Sequence, residues 1–65
     1  MTIAELRKKA DKTQAQVAKE AGISWRSYQS IETGAVSLLN AHGHTLRGLA
    51  KALNTTIEDL LNAET

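Results

Sequence analysis

The segment TQAQVAKEAGISWRSYQSIETG, residues 13–34, contains two helix signatures with a very short connection between them. Thr13 followed by Gln16 has the pattern of a capping box, which begins a helix. Gly22 is expected to end that helix, because glycine adopts the left-handed conformation without a steric penalty. Ser24 is then a good N-cap for a second helix. The segment therefore predicts two short helices joined by a turn of about three residues, an arrangement that limits the fold to crossed, closely packed helices.

Three further short helices are expected in the rest of the chain. Thr2 and Glu5 have the capping-box spacing and predict a helix at about residues 2–10. The predicted N-caps of the last two helices are Thr45 and either Thr55 or Thr56. Asn54 is expected to end the helix that begins at Thr45, because asparagine tolerates the left-handed conformation. Residues 35–44 have no clear period, so we expect a loop there, with one helical turn within SLLNA.

Apolar residues recur at helical spacing within each predicted helix. The expected core positions are Ile3, Leu6, Ala10, Val17, Ala18, Ala21, Tyr28, Ile31, Leu46, Leu49, Ala50, Leu53, Ile57, Leu60 and Leu61. The absence of Pro and the low number of Gly, four in 65 residues, also favour helices. The sequence therefore predicts an all-α protein, a single domain over residues 1–65 with five short helices around one core.

The charge distribution is uneven along the chain, although the net charge is only +1. Residues 1–26 carry six basic and three acidic side chains, whereas residues 27–65 carry two basic and four acidic ones. Such a separation can direct one face toward an anion such as DNA, or it can arise by chance in a short chain. No apolar run approaches the roughly 20 residues of a membrane span, so we expect a soluble cytoplasmic protein without a membrane partner.

Two helices joined by a short turn that contains glycine form the helix-turn-helix layout, here at about residues 13–33. In this layout the second helix lies in the major groove of DNA. Ala18 is suitably small for a position where the second helix crosses close by, and Gly22 suits the turn. Val17, Ile23 and Tyr28 are suitable residues to fill the angle between the two helices. The spacing therefore favours a DNA-binding protein, with residues 24–33 as the recognition helix.

Residues 13–34 and TLRGLAKALNTTIEDLL, residues 45–61, resemble the phage-repressor or XRE-type helix-turn-helix domain, a lambda-repressor-like fold of five helices. The resemblance includes the ending IE-x-G at residues 31–34 and extends from about Thr2 to Leu61. It implies binding to double-stranded DNA as a homodimer and a role in transcription regulation, most often as a repressor. It implies no cofactor.

The resemblance also assigns residues to roles. The positions that would meet base edges are Trp25, Arg26, Ser30 and Gln29. The resemblance places phosphate contacts at the start of the second helix, with Thr13 and Gln14. Thr33 is a further candidate, and Asn40 and His44 are substitutes for the basic residues that family members often have in the following loop. A guanidinium such as that of Arg26 can make a bidentate contact to guanine. Its alternative is a surface charge paired with Glu32 or another acid.

Trp25 is the only Trp of the chain, and the helical pattern places it on the flank of the recognition helix. Its indole can press an apolar edge against a thymine methyl or a sugar while its N–H donates to a phosphate. The alternative is that Trp25 folds back over Tyr28 or the loop and covers the core.

The segment of residues 35–44 departs from the family pattern, because it is longer than in compact members and lacks Lys and Arg. Val36, Leu38 and Leu39 suggest that it packs on the core or contacts a partner. A second class of function therefore stays open, that of a protein-interaction module such as an antitoxin, with DNA binding secondary or absent. An exposed apolar patch would favour this alternative, and burial would weaken it.

Other chemistry has little support in the sequence. His42 and His44 are two imidazoles without a nearby third ligand, so we expect no metal site. Glu58 and Asp59 are adjacent on a helix and diverge by about 100°, and acids in a first turn are explained by the helix dipole. We expect no enzyme activity, because a chain of this size has little room for a substrate pocket.

Overall fold

The computed structural model describes residues 2–64, so Met1 and Thr65 of the predicted domain lie outside the described residues. Within the described range the chain forms five α-helices and one 3-10 turn, and the all-α prediction is confirmed. The α-helices are α1 (Ile3–Lys9), α2 (Gln14–Ala21), α3 (Trp25–Thr33), α4 (Gly43–Ala52) and α5 (Ile57–Glu64). The 3-10 turn is Leu38–Asn40, within the predicted SLLNA segment.

The side-chain caps set most of the helix starts. Both capping boxes form, at Thr2 with Glu5 and at Thr13 with Gln16. Ser24 accepts a hydrogen bond from the backbone N–H of Ser27 and begins α3. At α5 the cap is Thr56 and not Thr55, because the N–H of Asp59 donates to the Thr56 hydroxyl at 3.1 Å.

Helices α2, α3 and α4 are each followed by a residue in the left-handed conformation, and this conformation was predicted at two of these residues, Gly22 and Asn54. Gly22 has φ of +76° and Gly34 has φ of +86°, and each follows the last residue of its helix. Asn54 adopts φ of +55°, two residues after α4 ends at Ala52. The connection between α2 and α3 is therefore the tight glycine turn that the sequence predicts.

The predicted start of α4 at Thr45 is wrong. The helix begins at Gly43, and its N-cap is His42, whose side chain makes no capping hydrogen bond. Thr45 lies inside the first turn and is only 8% exposed, so its side chain is part of the buried face. The sequence contains no N-cap signal at the true start, because His42 is not one of the residue types, Ser, Thr, Asp and Asn, whose side chains usually accept hydrogen bonds from the first backbone N–H groups of a helix.

All five α-helices and the 3-10 turn contribute to the core, and α2 and α4 pack more extensively on each other than on any other helix. The largest fully buried side chains are Tyr28, Leu38, Leu49, Leu60 and Val17. Ile57, which the sequence pattern assigned to the core, is instead 37% exposed at the start of α5. No helix within residues 2–64 is both long and apolar enough to cross a membrane.

Candidate nucleic-acid interface

Helix α3 has a polar face toward the solvent and an apolar face toward the core. Its inner residues Tyr28 and Ile31 are buried against the core. Of the four residues expected to meet bases, Trp25, Arg26 and Gln29 are exposed and Ser30 is half-buried. The structure thus brings all four expected base-contact residues together on one short helix whose orientation is fixed by the core beneath it.

Trp25 begins α3, and half of its surface is exposed to solvent, at 52%. Its indole Nε1–H donates to the side-chain Oε1 of Gln14, at 3.3 Å. The structure therefore does not bury the indole over the core. In the protein alone, the N–H group that was expected to meet a phosphate is bonded to a neighbouring helix.

Gln14, expected at a phosphate, begins α2 and has a half-buried side chain. Its amide oxygen accepts the bond from Trp25, and its Nε2 donates to Oε2 of Glu32. Both ends of this amide are thus engaged within the protein. The groups at the start of α2 that make no internal hydrogen bond are the backbone N–H groups of Gln14 and Ala15.

Glu32 is the centre of a hydrogen-bond network that connects α1, α2 and α3, and its side chain is only 7% exposed. Its Oε1 accepts from Arg7 Nε at 2.7 Å and from the Tyr28 hydroxyl at 3.2 Å. Arg7 also donates from Nη1 to the carbonyl oxygen of Lys12, at 3.0 Å. Together with Gln14, these contacts satisfy the carboxylate from three directions, which is the condition for a stable buried charge.

The pKa values of the network follow from its geometry. Burial alone would raise the pKa of Glu32, but the bonds from Arg7 and Gln14 and the positive charge of Arg7 outweigh it and lower the pKa below its ordinary range. Burial, reinforced by the Glu32 carboxylate, raises the pKa of Tyr28. At neutral pH the network therefore consists of a carboxylate, a guanidinium and a neutral hydroxyl donor.

Sequence reasoning missed this network. Arg7 and Glu32 are 25 positions apart, so no local period connects them. The one available signal was Glu32 on the same helix as the buried Tyr28 and Ile31, where an unpaired acid would be costly.

The guanidinium of Arg26 has no hydrogen-bond or ion-pair partner among the described side chains and backbone groups. The alternative in which it pairs with Glu32 is not formed, because the Glu32 carboxylate is bonded to Arg7, Tyr28 and Gln14. The guanidinium is exposed on the outer face of α3. It is available to an external acceptor without first breaking a contact in the protein.

The hydroxyl groups of α3 are oriented by its backbone. Ser30 donates to the carbonyl oxygen of Arg26 at 3.2 Å, and Thr33 donates to that of Ser30 at 3.3 Å. Their oxygen lone pairs remain available as acceptors. Gln29, by contrast, is exposed and has both donors and acceptors to offer.

The other residues expected at phosphates lie at the ends of helices. Thr13 is exposed, and its hydroxyl caps α2 by accepting from the N–H of Gln16 at 3.1 Å. Asn40 is exposed at the end of the 3-10 turn. His44 is exposed in the first turn of α4, where its ring stacks on that of His42 with centroids 5.7 Å apart. The start of α4 therefore presents backbone N–H groups together with two imidazoles.

The expected partner segment divides between two environments. Leu38 is fully buried. At this residue the loop packs on the core, which is one of the two outcomes that the sequence left open. Val36 and Leu39 are exposed, at 47% and 78%. These two are the exposed large apolar side chains of the segment, and we refer to them together as the Val36–Leu39 patch.

A comparison with protein families gives one match. The family model described as helix-turn-helix matches residues 3–60, which is most of the chain and covers α1 to α4 and the first half of α5. The searches of curated proteins and of solved structures returned no match. The matched region contains the α2, turn and α3 unit and also the Glu32 network that supports it.

Proposed function

This chain belongs to the XRE-type helix-turn-helix family, a family of DNA-binding transcription regulators and not of enzymes, and we propose that it is a repressor that binds a palindromic operator as a homodimer. In this proposal α3 lies in the major groove of double-stranded DNA. The observation that carries the proposal is the exposed guanidinium of Arg26, which has no partner among the described residues although Glu32 lies on the same helix.

The proposed base contacts come from the outer face of α3. Arg26 donates two hydrogen bonds to the O6 and N7 of a guanine, the commonest specific contact in major grooves. Gln29 and the half-buried Ser30 contact neighbouring base edges, and Trp25 contacts the base pair nearest the start of the helix. The N-terminal residues of a recognition helix are the ones that usually reach base edges.

The proposed phosphate contacts flank this face. At the start of α2, the unbonded backbone N–H groups of Gln14 and Ala15 bind a phosphate beside the Thr13 hydroxyl. Because both ends of the Gln14 amide are engaged, its backbone is the better donor. Thr33, Asn40 and His44 contact phosphates at the other end of the site. The positive balance of residues 1–26 favours the approach of the polyanion.

Replacing Arg26 with alanine should remove the preference for one base pair in each half-site. A bidentate contact to guanine is worth about 1–3 kcal/mol of discrimination. In Arg26→Ala, the difference in binding free energy between the selected site and a site with another base pair at that position should fall by a corresponding amount. The measurement is selection of binding sites from random duplex DNA, followed by titration of wild type and variant against the selected site and its single-base variants.

Arg47→Ala is the matched control, because Arg47 is also an exposed arginine but lies on α4. It removes the same charge and should leave the base preference unchanged. Equal base preferences in Arg26→Ala and wild type would contradict the proposed role of Arg26.

The proposed dimer uses the Val36–Leu39 patch of each copy. The patch lies in a stretch of the sequence, residues 33–46, that contains no Asp, Glu, Lys or Arg. Two copies can meet there around a two-fold axis, with the same apolar side chains of each copy in contact. A palindromic operator needs such symmetry, with recognition helices about 34 Å apart.

Leu39→Asp should weaken binding to a two-half-site operator by about tenfold or more and remove its cooperativity, because two carboxylates would face each other across the axis. The readouts are the number of chains per duplex and the steepness of the titration. Ala35→Asp, an exposed change in the same loop, is the matched control. Unchanged cooperativity in Leu39→Asp would place the dimer contact elsewhere.

The second candidate is a protein-interaction module such as an antitoxin. The exposure of Leu39, at 78%, favours a protein contact there. A chain that forms no complex with any duplex would support this candidate over the first.

A further inference from the structure

We infer that Trp25 recognises the 5-methyl group of a pyrimidine in the major groove, so that thymine or 5-methylcytosine is preferred over uracil or cytosine at one position of each half-site. This inference rests on the proposed function and specifies what the first residue of α3 contributes to it. It concerns a base modification that hydrogen-bonding residues such as Arg26 do not detect.

The first step is that the polar group of the indole is already used. Trp25 has a single donor, Nε1–H, and that donor is bonded to Oε1 of Gln14. Indole has no acceptor nitrogen to offer a base. What remains for DNA is therefore the hydrocarbon part of the ring system.

The second step is that the indole is held in place. Gln14 connects Trp25 to Glu32, which is 7% exposed and bonded to Arg7 and Tyr28. An aromatic ring anchored in this way loses less conformational freedom on binding than a free one. The chain of contacts thus presents the ring in a defined orientation before DNA arrives.

The third step concerns what a hydrocarbon edge can distinguish in the major groove. Of the groups that base pairs present there, the C5-methyl of thymine is the apolar one, whereas cytosine presents an N4 amino donor. Pressing cytosine against the ring would desolvate that donor without giving it a partner. Trp25 is 52% exposed, so enough of the ring is available to cover a methyl group.

The test uses a duplex selected by the wild-type protein, in which each thymine is replaced singly by uracil. Uracil removes only the methyl group and keeps every hydrogen bond of the base pair. We expect one position in each half-site at which uracil weakens binding about three- to tenfold, as burial of one methyl group implies. Cytosine at that position should bind weakly, and 5-methylcytosine should recover part of the loss.

Three variants connect the effect to the indole. Trp25→Ala should bind the thymine and uracil duplexes equally, whereas Trp25→Phe, which keeps an apolar ring but loses the N–H that bonds to Gln14, should prefer thymine by a reduced ratio. Gln14→Ala should reduce the thymine preference because the ring is no longer held. Arg47→Ala, on α4, should keep the full wild-type ratio.

Three outcomes overturn the inference, and they are distinguishable. If the wild-type protein binds its selected duplex but uracil has no effect at any position, Trp25 does not recognise a methyl group and the proposed function is unaffected. If no duplex binds at all, the proposed function fails and the inference fails with it. A thymine preference that survives in Trp25→Ala would assign the methyl contact to another residue. Circular dichroism of each variant checks that it is folded.

Discussion

Replacing Gly48 with alanine is expected to lower the free energy of unfolding by about 2 kcal/mol, although alanine is the better helix former by about 1 kcal/mol. Gly48 lies within α4, where that helix meets the end of α2. A Cβ atom at this position would lie 2.9 Å from the carbonyl oxygen of Ala21 and 3.1 Å from its Cα. Both are backbone atoms, so the two helices would have to move apart, and overpacking of this kind costs about 1–3 kcal/mol.

Gly43→Ala is the matched control, because a Cβ atom at Gly43 would contact nothing within 4 Å. This change in the first turn of α4 should leave stability equal or slightly higher, since it reduces the freedom of the unfolded chain. Urea unfolding of the two variants measures the difference. Gly48→Ala as stable as Gly43→Ala would mean that α2 and α4 do not approach as closely as described.

Glu32→Gln is expected to destabilise the fold by a similar amount, about 2 kcal/mol. The substitution keeps the shape of the side chain but removes the charge that Arg7, Tyr28 and Gln14 bind. Removal of one partner from a fully buried ion pair costs about 3–5 kcal/mol, and this value is reduced here because the Arg7 side chain is 16% exposed. For a chain of 65 residues, whose net stability is only a few kcal/mol, that is a large fraction.

Glu20→Gln provides the comparison, because Glu20 forms an ion pair with Lys12 but is 46% exposed. Its loss should cost less than about 1 kcal/mol. Urea unfolding at pH 7 should separate the two variants, and equal losses would contradict the central role of Glu32.

The destabilisation of Glu32→Gln should also depend on pH. Because the pKa of Glu32 is lowered in the folded protein, its contribution is complete above the ordinary glutamate pKa. That contribution is lost as the pH falls through the lowered value, where the wild-type carboxyl becomes protonated. The gap between wild type and Glu32→Gln should therefore narrow in acid.

Local signals predicted the helices well. The caps at Thr2, Thr13 and Ser24 and the left-handed Gly22 depend on contacts within four residues, so a sequence pattern contains all the necessary information. The start of α4 was predicted wrongly because Thr45, a favourable cap by type, is placed in the core by tertiary packing.

The exposure of Trp25 and Arg26 was predicted from the sequence, whereas the contacts within the candidate interface were not. The helical period placed Trp25 and Arg26 on the outside of α3, and both are exposed. It gave no indication that Trp25 is bonded to Gln14, or that Gln14 is bonded to Glu32, because these pairs join different turns and helices. Trp25 is separated from Gln14 by 11 positions in the sequence, and Gln14 is separated from Glu32 by 18. Contacts over such separations depend on how the helices cross, which a single sequence does not encode locally.

The network also connects stability to the proposed recognition surface. Glu32 is bonded to α1 through Arg7 and to the start of α2 through Gln14, and Gln14 holds the indole at the start of α3. A change at Glu32 should therefore affect both the fold and the orientation of Trp25. The contacts give a physical reason for a half-buried Gln14 and an exposed Trp25 to occur together.

The most direct test of DNA binding by α3 is a titration of mixed-sequence duplex DNA followed by the fluorescence of Trp25, the only indole in the chain, at several salt concentrations. We predict a saturable spectral change. The logarithm of the affinity obtained from its midpoint should fall linearly with the logarithm of the salt concentration, as phosphate contacts require. An unchanged spectrum, together with the absence of a complex in an electrophoretic assay, would contradict DNA binding through this surface.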